Sequence, residues 1–178
     1  MNALVLSLAL ILIANAPSAN GRGHGHGHHQ GLVGQICMEV MQDKGTCVEL
    51  LEAADPKIAE AKDFNELSTA VLELAVSKGV DGQNFLKGLA QLNSSPALEQ
   101  CAHFHYDGVV ASFKSALGEL KDDPQTASYD AKVAGDGPDG CDRALAAANI
   151  NNPAITALNH EISLLSQVAF EAVSKLSG

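Results

Sequence analysis

The stretch NPAITALNHEISLLSQVAFEAVSKL, Asn152 to Leu176, decides the fold class. Asn152 is a good helix N-cap, and Pro153 carries the fixed φ that suits the first helical position. Ile155, Leu158, Ile162, Leu165, Ala169, Ala172 and Leu176 then recur in steps of three and four. That spacing places one apolar stripe along a long helix, and such a stripe must be buried against other helices.

Working outward, DFNELSTAVLELAVSKG carries the same grammar: Asp63 as N-cap, Glu66 three residues on, and Gly79 just past the end. Phe64, Leu67, Val71, Leu74 and Lys78 line its stripe, which Phe85, Leu89 and Leu92 continue in a following shorter helix. Pro96 opens a further helix that runs to about Lys121. Near the N-terminus, Val33, Ile36, Cys37 and Val40 have helical spacing, and Lys44, Gly45 and Thr46 break it. A second short helix from about Cys47 to Ala54 makes a helical hairpin whose arms Cys37 and Cys47 tie. No strand pattern competes with these helices. The pattern predicts an all-α protein: an antiparallel four-helix bundle of three long helices and the shorter one around Phe85, with the stapled N-terminal hairpin projecting from it or capping it.

The compartment controls what the four cysteines can be. The chain opens MNALVLSLALILIANAPSANG, with an apolar run from Ala3 to Ala14 that is too short to span a bilayer and reads as a secretory signal. This assigns residues 1–19 to the signal, with cleavage between 16 and 23, residues 20–31 to a flexible tether, and residues 32–178 to one folded domain. In an oxidising compartment four cysteines form disulfides, with three possible connectivities. Pairing neighbours in sequence would close loops worth roughly 2.8 and 3.9 kcal/mol by chain entropy. Neither Cys37 with Cys47 nor Cys101 with Cys141 has the close spacing of a zinc site.

The tether, GRGHGHGHHQG, holds His24, His26, His28 and His29 between glycines. It cannot build a core. Its imidazoles suit weak copper, nickel or zinc capture, because glycine spacers leave the ligands unordered until the metal arrives. Asn93, Ser94 and Ser95 form a glycosylation acceptor.

Composition narrows the function further. With 21 Asp and Glu against 11 Lys and Arg, the formal charge is −10, which repels nucleic-acid phosphates and anionic membrane faces. A nucleophile elbow, an HExxH pair and a phosphate-binding glycine loop are all missing from the sequence, so it gives no reason to expect catalysis or a cofactor. His103 and His105 stand two apart on a helix and cannot chelate from one face.

The order of a secretory signal, a two-cysteine hairpin, two helices, Cys101 with Tyr106 five residues on, Cys141 with Asp142, and a long closing helix resembles the plant invertase and pectin methylesterase inhibitors. The likeness runs from about Val33 to Leu176. It implies the pairings Cys37 with Cys47 and Cys101 with Cys141. It also implies a secreted, non-catalytic inhibitor, in the apoplast or cell wall with the vacuole as the other compartment, docked one-to-one over the cleft of a carbohydrate-active enzyme. The stretches DDPQTASYDAKVAGDGPDGCDRAL and NPAITALNHEISLLSQ are more similar to the invertase-inhibitor branch, which makes acid invertase the expected target and pectin methylesterase the alternative. Pro124, Gln125 and Thr126 stand where that branch carries Pro-Lys-Phe and are the expected target-binding residues. A diverged member acting as an extracellular metal-binding or interaction protein is the remaining reading.

Overall fold

The computed structural model describes residues 31–40 and 43–177. The expected signal segment and the tether histidines His24, His26, His28 and His29 lie outside these described residues. Within them the chain is helical throughout and contains no strand: α1 (Leu32–Glu39), α2 (Lys44–Ala54), α3 (Pro56–Glu60), α4 (Phe64–Leu92), α5 (Pro96–Glu99), a π-helical segment (Gln100–His105), α6 (Tyr106–Glu119), α7 (Pro124–Val133), α8 (Asp136–Ala147) and α9 (Pro153–Ser174).

Four of these helices start at a proline, and the residue before it does the capping. Asp55, Asp123 and Asn152 each accept a backbone N–H of the first turn, while Ser95 precedes Pro96 without doing so. Asp63 caps α4 through the N–H of Glu66, and Glu66 reaches back to the N–H of Lys62. Asn149 follows the last turn of α8 in the left-handed conformation at φ 56°, the usual way to end a helix without glycine.

The bundle is a ring in which α4 packs on α6 and α9, and α7 packs on both α6 and α9. In it α9 runs antiparallel to both α4 and α7: Lys78 and then Gly82 of α4 meet Glu161 and then Leu158, and Ser128 and then Ala131 of α7 meet Ser174 and then Ser166. Leu67, Leu72, Leu86, Phe113, Ile155, Ile162, Leu165 and Val168 are fully buried at its centre. Each such side chain contributes about 1.5–3 kcal/mol relative to exposure. The hairpin of α1 and α2 is crosslinked by Cys37–Cys47 and buries Ile36, Val40 and Leu51.

Three readings of the sequence need correction. Gly79 does not end a helix: α4 runs on past it to Leu92, 29 residues in all, with Gly79 buried beside Val109, Val110 and Phe113 of α6. The core face beyond Gly79 is Gly82, Gln83, Leu86 and Ala90, so Phe85 and Leu92 fall off the stripe and are 39% and 81% exposed. Second, the fourth bundle helix is α7; the region around Phe85 belongs to α4. Its inner face is only Ala127, Ser128 and Ala131, too small to announce itself as an apolar stripe. Third, α2 begins at Lys44 rather than near Cys47, with Asp43 as its N-cap.

Gly82 is the tightest point of α4. A Cβ there would lie 2.7 Å from Leu158 Cδ1 and 2.9 Å from Tyr106 Cε1. The ring cannot step aside, because Tyr106 is fully buried and its hydroxyl donates to Asn159 Oδ1 at 2.7 Å. Gly88, on the same helix, is exposed and has nothing near its missing Cβ. In chemical denaturation Gly82→Ala therefore destabilises by about 1–3 kcal/mol through overpacking. Gly88→Ala stabilises by up to about 1 kcal/mol through helix propensity. Equal effects of the two changes would contradict the packing described.

Candidate functional site

The helices α5 and α6 would be continuous but for the six π-helical residues between them. A π turn is uncommon and persists where its surroundings hold it. Here three contacts do so. Cys101 is bonded to Cys141 of α8. Gln83 of α4 donates from Nε2 to the Ala102 carbonyl at 3.1 Å, and to the Asp107 carboxylate. Third, Gly137 and Gly140 present bare backbone to the segment: a Cβ at Gly137 would sit 2.7 Å from the His105 carbonyl, and one at Gly140 would sit 2.2 Å from the His105 ring.

His105 is thereby half-buried against α8, and its Nε2 has no hydrogen-bond partner. Burial first, and the positive charge of Arg143 second, hold its pKa below the usual imidazole value. Its neighbour Tyr106 leads into a buried polar chain, in which Asn159 passes a second hydrogen bond at 2.5 Å to Asp142, the residue after Cys141. Burial, with Asp142 and Glu161, pushes the Tyr106 hydroxyl well above the usual phenol range, so it stays a donor. These groups fix the geometry of one flank of the bundle. His103, by contrast, is exposed and meets Glu99 at 3.3 Å, so the two histidines share no ligand site. No group of three or more His, Cys, Asp or Glu among the described residues is placed to hold a metal.

The target-binding residues expected from the sequence open α7. Asp123 accepts from the Thr126 N–H at 3.1 Å and from its hydroxyl at 2.8 Å, bonds that hold the Asp123 pKa below the usual carboxylate value. Pro124 is the first helical residue, and Thr126 is tied down by its own cap. Gln125 alone of the three is exposed. One turn on, Tyr129 is 65% exposed, and one turn further Lys132 reaches over the Phe170 ring at 5.2 Å. Gln125, Tyr129 and Lys132 share the outer face of α7, opposite Ala127, Ser128 and Ala131. This face runs into a shallow groove lined by Lys132, Asp136, Asp139, Gln167, Phe170 and Glu171. Sequence reasoning missed Tyr129 and Lys132, which are visible only once α7 is recognised as a helix.

Two solved structures that this architecture matches are pectin methylesterase inhibitors. The chain has the fold of the pectin methylesterase inhibitors. A pectin methylesterase inhibitor from Arabidopsis thaliana aligns with a TM-score of 0.60 at 15% identity, over 81% of this chain and 95% of that one. A mutant form of a pectin methylesterase inhibitor from Arabidopsis aligns with a TM-score of 0.59 at 17% identity, over 80% and 95%. Neither is an invertase inhibitor. No family model and no curated protein matches the chain by sequence. Both disulfides expected from the resemblance are formed, Cys37–Cys47 and Cys101–Cys141, which fits an oxidising compartment. Among the described residues no helix is long and apolar enough to cross a membrane.

The depressed His105 pKa fixes a pH dependence. The unfolded chain takes up a proton near pH 6.5, before the folded one does. Stability is therefore whole above about pH 6.5 and falls as pH drops toward the folded-state pKa. Thermal melts from neutral to acid pH should show a steeper decline for the natural protein than for His105→Gln. Parallel declines would mean that the imidazole titrates as it does in water.

Proposed function

We propose that the chain belongs to the invertase and pectin methylesterase inhibitor family. On this reading it acts as a secreted, non-catalytic inhibitor, docking one-to-one over the cleft of a plant carbohydrate-active enzyme. Pectin methylesterase stands ahead of acid invertase. The observation that carries this reading is the match of 80–81% of this chain to pectin methylesterase inhibitors over 95% of their length. The outer face of α7 is the proposed docking surface. It offers an exposed aromatic ring at Tyr129 beside a cation at Lys132, the residue types that anchor interfaces, on a helix whose inner side is locked to α6 and α9. Gln125 extends the same face, while Pro124 and Thr126 set the helix start. The proposed site of action is the apoplast or cell wall.

The rigidity of the scaffold supports obstruction as the mechanism. A capped, proline-initiated α7, whose last turn is held by the Ser166 hydroxyl of α9, fixes the docking residues before binding, so little ordering is required when the complex forms.

Titration of a plant pectin methylesterase and a plant acid invertase with the purified protein tests the reading. Stoichiometric inhibition of the pectin methylesterase is expected, with loss after reduction of the disulfides. Tyr129→Ala should weaken it on the order of 30-fold, the effect of an interface anchor worth about 2 kcal/mol, with helicity unchanged. Inhibition of invertase alone would reverse the order of targets. Full activity of both enzymes at micromolar excess, from acid to neutral pH, would end the inhibitor reading and leave a metal-binding or interaction protein.

A further inference from the structure

We propose that the secreted protein carries an N-linked glycan on Asn93. Asn93-Ser94-Ser95 is the sole acceptor triplet in the chain, and it occupies the turn between α4 and α5. Asn93 and Ser94 are exposed, with Asn93 extended at φ −132° and ψ 100°. The backbone of the triplet closes on itself: the Asn93 N–H donates to the Leu89 carbonyl at 2.9 Å, and the Ser95 N–H donates to the Asn93 carbonyl at 2.6 Å. The Asn93 side-chain amide enters no hydrogen bond with the described residues, and the Ser95 hydroxyl makes no cap bond to α5 although Ser95 is its N-cap. Ser95 is unlike Asp55, Asp123 and Asn152 in this respect, since their side chains are all committed to their helices. Both groups that the transfer reaction uses, the amide and the hydroxyl two residues on, therefore stand outside the side-chain hydrogen bonding among the described residues. A sugar attached at Asn93 breaks no contact in the folded state.

The surroundings give such a glycan something to cover. Leu92, the last residue of α4, is 81% exposed, the most exposed large apolar side chain among the described residues. The first sugars on Asn93 would lie at this end of the bundle, where a bare leucine otherwise faces water. The same end is remote from the outer face of α7. Lys132 of α7 is level with Ser166 of α9, five residues beyond Glu161, which meets Lys78 of α4, and Asn93 lies fifteen residues beyond Lys78 in the other direction, so the two are separated along the bundle by about 30 Å at 1.5 Å per residue. A glycan there adds bulk without covering Tyr129.

In the reaction, Asn93 Nδ2 bonds to the anomeric carbon of an oligosaccharide carried on a polyprenyl diphosphate. The bond from that carbon to the diphosphate oxygen breaks, the lipid diphosphate leaves with the electron pair, and Nδ2 gives up one proton to a base of the transferase. The inference rests on passage through the secretory route and is independent of the target enzyme. Pro96, next after the triplet, holds Ser95 extended at φ −108° and ψ 124°, which limits the turn the acceptor can adopt in the transferase.

The experiment is intact mass measurement of the full chain secreted from plant cells, before and after peptide N-glycosidase. The expected result is a glycan mass ladder that collapses on treatment to the polypeptide with aspartate at position 93. Asn93→Gln and Ser95→Ala should abolish the ladder, and Pro96→Ala should raise the glycosylated fraction. Natural protein secreted wholly at the polypeptide mass would overturn the proposal, and so would a ladder that survives Asn93→Gln. The natural protein reports the result without any variant, so a variant that fails to fold does not obscure it.

Discussion

The crosslink between Cys101 and Cys141 is the constraint on which the rest of the structure depends. The buried positions of α8 are Gly137, Pro138, Gly140, Cys141 and Leu145, so apolar area alone gives this helix little hold on the bundle. The disulfide supplies what area does not, closing a separation of 40 residues. It also brings the glycine backbone of α8 against His105 and holds the π-helical segment. With α8 fixed, Asp142 reaches Asn159, Asn159 reaches Tyr106, and the ring of Tyr106 lies against Gly82. One covalent bond thus sets the spacing between α4, α8 and α9. The Cys37–Cys47 bond is more local and tightens the hairpin alone.

What was legible in the sequence were the helices with both a strong stripe and a strong start. In α9, Asn152 and Pro153 fix the beginning, and the buried Ile155, Ile162, Leu165, Ala169 and Ala172 are those the spacing picks out. What was not legible has a common physical cause. A glycine after an apolar run is the same letter whether it ends a helix or lets a second helix approach, and only the partner distinguishes them. Gly79 and Gly82 approach α6 and α9, so the sequence split one helix into two. In α8 the series Gly135 to Gly140 spells a turn, yet Gly137 and Gly140 are buried contacts of a helix. The helix α7 hides for the opposite reason. Its inner residues are alanine and serine, and its one large ring, Tyr129, points outward, reversing the usual pattern.

That reversal bears on the candidate site. Pro124, Gln125 and Thr126 were identified from resemblance, but two of the three are committed to starting the helix. The exposed chemistry lies one and two turns later. Small inner residues bring α7 close to its neighbours, and Ser166 of α9 donates to the Ala131 and Lys132 carbonyls at 2.8 and 3.1 Å. These bonds from the neighbouring helix hold the backbone of the last turn of α7, just where Lys132 lies over Phe170. The outer face of α7, the proposed docking face, is stiff because the side opposite it is tightly packed.

Charge adds a second kind of selection. The surface contacts linking hairpin to bundle, Lys175 with Glu39 at 3.4 Å and His160 with Asp43 at 3.4 Å, lie at least partly in solvent and add little stability. The formal charge of −10 acts over a longer range than any of them. It favours encounter with a basic surface, raises the rate of association at low salt, and fades beyond a screening length of about 8 Å at physiological ionic strength. On the proposed inhibitor reading, a partner with a positively charged rim around its cleft would be selected at encounter by charge and at contact by Tyr129 and Lys132. Salt should weaken the first step far more than the second, because ring contacts at a dry interface are not screened.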